Sequence, residues 1–150
     1  MLMKAELIAP CGMNCGLCIA YQFMQNELNK QGFHKAYCSG CISRGKNCTY
    51  MKDSCELLGK GKLRFCFDCK DYPCKRLKAL DLRYRTKYHM SMIDNLNSII
   101  EQGMDNFLEE QEATWKCPTC GGTICCHNGL CLKCSIDKLR RNKKYRWEEG

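Results

Sequence analysis

Fourteen cysteines in short-spaced groups carry the chemistry of this chain. The groups are Cys11/Cys15/Cys18, Cys38/Cys41, the single Cys48 and Cys55, Cys66/Cys69/Cys74, Cys117/Cys120 and Cys131/Cys134. Two further cysteines, Cys125 and Cys126, bring the total to sixteen in 150 residues. Thiolates two to four residues apart can grip one ion together, so the spacing reads as metal ligation, and metal binding also supplies folding free energy to segments too small to bury a large core. The alternative is a disulfide-stapled exported protein. Residues 1–10 show no apolar h-region with a small-residue cleavage site, and no apolar run approaches the roughly 20 residues of a membrane span, so the expectation is a cytoplasmic chain with reduced thiols and no membrane contact.

The C-terminal quartet is the most specific motif. Cys117-Pro-Thr-Cys120 and Cys131-Leu-Lys-Cys134 are two Cys-x-x-Cys knuckles with ten residues between them, and Gly121, Gly122 and Gly129 permit tight turns at the knuckles. This predicts a zinc-ribbon hairpin with a structural ion, because four thiolates leave no open position for water or substrate. Cys125-Cys126-His127 lies inside the ribbon loop. Its expected role is structural, with strand alternation turning one cysteine inward and the other outward, rather than a thiol activated by the histidine.

Cys11-x3-Cys15-x2-Cys18 has two readings. Zinc completed by a distant cysteine is one, and an iron–sulfur cluster is the alternative. The same spacing occurs in radical S-adenosylmethionine enzymes, but their barrel takes about 200 residues or more and too little chain follows Cys18. The run Cys66-x2-Cys69-x4-Cys74 places its proline before the last cysteine, unlike the bacterial ferredoxin run. The simplest pairing joins Cys38/Cys41 to Cys66/Cys69 and completes Cys11/Cys15/Cys18 with Cys74. Cys48 and Cys55 are then left free or serve a third ion with His34 or shared thiolates. About three zinc ions are expected in all, each four-thiolate site changing the charge by about −2, which would take the formal +8 to roughly +2.

The order Ala9-Pro10-Cys11-Gly-x-x-Cys15-Gly-x-Cys18, Cys38-Ser-Gly-Cys41, Cys48, Cys55 and Phe65-Cys66-Phe-x-Cys69-x-x-Tyr-Pro-Cys74 resembles the cysteine-rich family known as domain of unknown function 3795, over roughly residues 7–80. The helices and terminal ribbon that follow resemble its longer members. The resemblance implies a zinc-binding protein and transfers no activity.

The elements that must position these ligands divide by cysteine density. Residues 1–75 hold ten cysteines, 76–114 none and 115–136 six. The expectation is a small metal-stabilised α+β protein: an irregular cysteine-cluster domain (1–75), a helical connector packed on it (76–114), a zinc ribbon (115–136) and a basic tail (137–150). In the connector, Leu77, Leu80 and Tyr84, then Met92, Leu96, Ile99 and Ile100, recur near the helical period. Ser91 is placed to cap the second helix, and Gly103 to end it before a third carrying Met104, Phe107 and Leu108. In the first part a helix is expected over Gly16–Lys30, with Leu17, Tyr21, Met24 and Leu28 on one face. A short helix over Ser54–Leu58 and a strand over Leu63–Phe67 complete the reading.

No motif identifies a small-molecule substrate. The zincin, dinucleotide-binding, P-loop, nucleophile-elbow and zinc-deaminase signatures are all absent, and catalysis is unsupported. Basic residues cluster instead. Lys138, Arg140, Arg141, Lys143, Lys144 and Arg146, interleaved with Tyr145 and Trp147, suit phosphate contact and base stacking. Lys75, Arg76, Lys78, Arg83, Arg85 and Lys87 form a second patch. The leading expectation is a multi-zinc recognition module for RNA, DNA or an acidic protein surface. A redox or enzymatic iron–sulfur protein is the second reading, and a metal store or thiol sensor the third.

Overall fold

A computed structural model describes residues 4–40 and 64–141. It is small and mostly helical. We number the α-helices α1 (Ile19–Gln25), α2 (Lys75–Lys87), α3 (Met92–Gln102), α4 (Met104–Thr114) and α5 (Ile136–Arg141). Short 3-10 turns at Ala5–Leu7, Cys15–Leu17, Leu28–Gln31 and Cys66–Asp68 join the N-terminal segments. Sheet structure among the described residues amounts to three isolated antiparallel bridges, Ile8 to Asn14, Lys116 to Thr123 and Ile124 to Cys131.

The helical connector forms where the periodicity places it. The Cys74 sulfur caps α2 by accepting from the Leu77 amide at 3.4 Å, and the Ser91 hydroxyl caps α3 by accepting from the Asp94 amide at 3.0 Å. Gly103, at φ +84°, separates α3 from α4 with a conformation open to glycine. Leu77, Leu80, Met92, Leu96, Ile99 and Phe107 are buried. Ile100 departs from the expected stripe and is 55% exposed. It lies about 80° around the helix from Met92, at the margin of the arc that Asn95, Leu96 and Ile99 fill.

Two other expected elements are replaced. The helix over Gly16–Lys30 is broken into a 3-10 turn, the seven residues of α1 and a second 3-10 turn, because Cys18 is extended at ψ 137° and Glu27 takes a left-handed conformation at φ +49°. The strand over Leu63–Phe67 gives way, within the described residues, to a bend and the Cys66–Asp68 turn. There the Asp68 carboxylate accepts from the Phe65 amide at 3.2 Å and turns the chain, leaving the Cys66 amide to donate to the Pro10 carbonyl at 2.8 Å. The segment over Ser54–Leu58 lies outside the described residues.

Two apolar clusters result. The larger joins Ile8, Met13 and Leu17 to α2, α3 and α4, and includes Cys11, Cys15, Cys66 and Cys126. The smaller packs Ile19, Phe23, Leu28 and Phe33 against Cys125, Leu132 and Leu139. Cys125 and Cys126 therefore face opposite ways, as alternation requires. The side expected to meet solvent meets the larger core instead, and both residues are fully buried.

Candidate metal centre

The sulfurs of Cys117, Cys120, Cys131 and Cys134 all lie within 4.8 Å of one another. Local backbone geometry accounts for this. After Trp115 the chain turns back, with the Cys117 amide on the Gly122 carbonyl at 2.7 Å and the Gly121 amide on the Cys117 carbonyl at 2.9 Å. Gly121 supplies the positive φ this knuckle needs, and Gly129 does so at +70° before the second knuckle. The Ser135 amide closes that second knuckle on the Cys131 carbonyl at 3.0 Å.

The arrangement fits a tetrahedral ion. Metal–sulfur bonds of about 2.3 Å put neighbouring sulfurs about 3.8 Å apart. Cys117 and Cys134 stand at 3.5 Å, and Cys120 and Cys131 at 3.4 Å. None of the four is in a disulfide. Amides of Cys120 and Thr119 point at the Cys117 sulfur and lower its thiol to about 6. The Cys134 thiol, hydrogen-bonded to Cys117, is pushed up to about 12. Deprotonation thus starts at Cys117, and the hydrogen bond to Cys117 keeps the proton on Cys134. Cys117 and Cys131 are buried, whereas Cys120 and Cys134 are exposed.

Around the quartet, the would-be Cβ of Gly122 falls 3.3 Å from the Cys120 sulfur and 3.6 Å from the Cys131 sulfur, and that of Gly121 meets the Lys116 stem at 3.7 Å. The Lys133 stem passes 3.8 Å from the same point on Gly122. A cavity of about 520 Å³ opens here, lined in part by Cys120, Lys116, Lys133 and Glu112.

The N-terminal cysteines lie on segments that converge. Cys11, Cys15 and Cys66 are buried in the larger core, with Cys18 and Cys74 packed against it. Gly40 brings the Cys38 loop to Cys15, its would-be Cβ being 3.8 Å from the Cys15 Cβ, and the Cys38 amide donates to the Ala20 carbonyl at 3.3 Å. Cys69 is half-buried and His34 exposed. Among the described residues, the quartet is the one group of three or more gathered within 4.8 Å. Cys41, Cys48 and Cys55, expected in the N-terminal ligand set, lie outside the described residues.

The basic residues divide. Lys138 and Arg141 are exposed on α5, while Arg140 donates to the Gln31 carbonyl at 3.2 Å and lies 4.9 Å over the Phe33 ring. Lys143, Lys144, Arg146 and Trp147 lie outside the described residues. In the second patch, Arg85 is ion-paired with Asp81 at 2.7 Å.

Sequence reasoning did not find the environment of His127. Its Nδ1 accepts from the Ile19 amide at 3.2 Å, so Nε2 carries the proton and faces the Tyr84 hydroxyl at 3.4 Å. Burial lowers the imidazole to about 4, with Lys35 and Arg83 adding to the effect. Burial also raises Cys125 to about 12, Cys126 well above its ordinary value, and Tyr84 with them. So weak a base cannot ionise the Cys126 thiol, 3.7 Å from Nδ1, and the Cys125-Cys126-His127 run is structural. No sequence signal other than adjacency marked it.

No helix among the described residues is long and apolar enough to cross a membrane. Searches of curated proteins and of solved structures found no match to the chain. The model of a family described as protein of unknown function, DUF3795, matches residues 7–79, a span that contains all ten N-terminal cysteines. Over residues 7–79 the chain is therefore similar to the cysteine-rich DUF3795 family.

Proposed function

We propose that the protein is a metal-stabilised recognition module in which Cys117, Cys120, Cys131 and Cys134 hold a structural zinc ion in a ribbon-like hairpin. The observation that carries this reading is the four-sulfur group itself, which supplies all four ligands of a tetrahedral ion and is supported by amide hydrogen bonds. Such a site has no position for water or substrate, and its contribution is folding free energy and rigidity. Further zinc is proposed for the N-terminal cysteines, whose segments the larger core draws together.

Element-resolved metal analysis on anaerobically purified protein tests the proposal. Zinc in every chain, and a four-thiolate cobalt spectrum on exchange that disappears in Cys117→Ser, are expected. Brown protein carrying iron and sulfide would overturn the zinc assignment, and a metal-free folded chain would overturn the metal reading.

The partner we propose is a polyanion, RNA or DNA, contacted from α5. Lys138 and Arg141 support this because both are exposed and neither enters an ion pair among the described residues. Anisotropy with labelled RNA should show affinity that falls with salt and weakens in Lys138→Glu/Arg141→Glu. Salt-independent binding, or none, would remove the polyanion from the proposal.

A further inference from the structure

The four sulfurs of the quartet are not equivalent toward solvent. Cys117 and Cys131 are 4% and 2% exposed, whereas Cys120 and Cys134 are open. Of these two, Cys120 also lines the cavity of about 520 Å³, with the Lys116 and Lys133 stems packed on the glycines beside it. A small molecule entering that cavity meets a sulfur in a lining that also holds Lys116, Lys133, Glu109 and Glu112. Directly behind the sulfur, at 3.4 Å, stands the buried Cys131. An exposed thiolate with a second thiol in contact behind it is the arrangement required for reversible oxidation.

We infer that Cys120 is an oxidation site for hydroperoxides, resolved by Cys131, so that the centre releases its metal in response to peroxide. The inference rests on the metal reading above. In the first step the Cys120 thiolate attacks one peroxide oxygen. The O–O bond breaks, the departing alkoxide or hydroxide takes a proton from water or a lining lysine ammonium, and Cys120 becomes a sulfenic acid. In the second, the Cys131 thiolate attacks the Cys120 sulfur, the S–S bond forms, and hydroxide leaves and is protonated to water. Two thiolates, one hydroperoxide and two protons give one disulfide, one alcohol and one water. With two of four ligands consumed, Cys117 and Cys134 alone do not retain the ion. Leu132 follows Cys131 directly in the chain and belongs to the smaller core with Leu139, so the change reaches α5.

The test uses the full, metal-loaded chain, treated anaerobically with excess hydrogen peroxide. Metal release is followed with a chromogenic chelator, and disulfides are mapped by mass spectrometry. Release in step with a Cys120–Cys131 disulfide, reversed by dithiothreitol and zinc, is expected. Lys116→Ala/Lys133→Ala should keep its metal and release it about tenfold more slowly. Metal retained under peroxide, or lost with Cys117–Cys134 as the first disulfide, would overturn the inference while leaving the metal reading intact. A chain purified with no metal at the quartet would end both.

Discussion

The Nδ1 atom of His127 accepts a hydrogen bond from the Ile19 amide at 3.2 Å, across 108 residues of sequence. The bond ties the loop between the two knuckles to the first turn of α1. The Cys126 backbone amide on the Leu17 carbonyl at 2.9 Å and the Gln22 side-chain Nε2 on the Ile124 carbonyl at 3.4 Å reinforce it. The Ile19–His127 bond requires a neutral imidazole, because a protonated Nδ1 cannot accept.

That requirement sets a pH dependence. His127 sits at about 4 in the folded chain against an ordinary 6.5, so the unfolded chain binds the proton first. The stabilisation is complete above pH 6.5 and declines as pH falls toward 4, by an amount on the order of 3 kcal/mol for a shift of this size. Urea unfolding of the wild type and His127→Gln at several pH values checks this. The wild type should lose its advantage over the variant between pH 6.5 and 4, and a constant difference would show that the imidazole does not titrate with unfolding.

Gly12 is a second close approach between distant segments. Its φ is +92°, and a Cβ there would stand 2.5 Å from the Met92 carbonyl oxygen and 2.9 Å from the Leu96 side chain. The Asn95 side-chain Nδ2 donates to the Gly12 carbonyl at 2.9 Å, so the loop cannot back away without losing that bond. Gly12→Ala is expected to cost about 3 kcal/mol or more. Gly103→Ala also has a positive φ but has nothing within 4 Å, and should cost about 1 kcal/mol. Equal losses in the two variants would show that strain, not contact, decides both.

How much of this was legible follows from the range of each interaction. The helices of the connector are local, set by side-chain period and by Ser91 and Gly103, and they form as expected. The quartet is nearly local, since two knuckles with glycine turns need only one reversal to meet. Asn14 is different. It is buried and donates to the Gln111 side chain at 3.2 Å, a pairing 97 residues apart that nothing in either neighbourhood announces. His127 failed for the same reason, and Arg140 read as a phosphate contact because its partners, Gln31 and Phe33, come from another segment. The helix over Gly16–Lys30 misled in the opposite direction: extended Cys18 and left-handed Glu27 divide it, and α1 buries Ile19, Gln22 and Phe23 where Tyr21 and Met24 were expected.

Asp81 was likewise invisible on a helix rich in lysine and arginine. It is 1% exposed and accepts from the Ser91 hydroxyl at 2.5 Å, the Ile93 amide at 3.0 Å and the Arg85 guanidinium at 2.7 Å. It therefore fixes α2 to the start of α3, and Ser91 in turn caps α3. Asp81→Ala strands buried donors and should cost about 3 kcal/mol. Arg85 is mostly exposed, so Arg85→Ala should cost less than about 1 kcal/mol. Chemical denaturation of the two variants compares them, and a larger loss at Arg85 would contradict the assigned roles.

Removing the metal should separate the two apolar clusters. Leu132 and Leu139 reach the smaller cluster only through the second knuckle and α5, whereas Leu77, Leu96 and Phe107 belong to the larger one, held by three helices and the Asp81 contacts. Structural zinc in small sites is worth about 10–16 kcal/mol, more than the seven-residue α1 and the short α5 can replace by packing. Chelation of the quartet's ion is therefore expected to raise amide hydrogen exchange at Leu132, Ser135 and Leu139 while the amides of Leu96 and Ile99 remain slow. Cys117→Ser should reproduce that pattern without chelator. Exchange that rises uniformly across both clusters would mean that the His127–Ile19 junction couples them into one cooperative unit, and that the ion stabilises the whole of it.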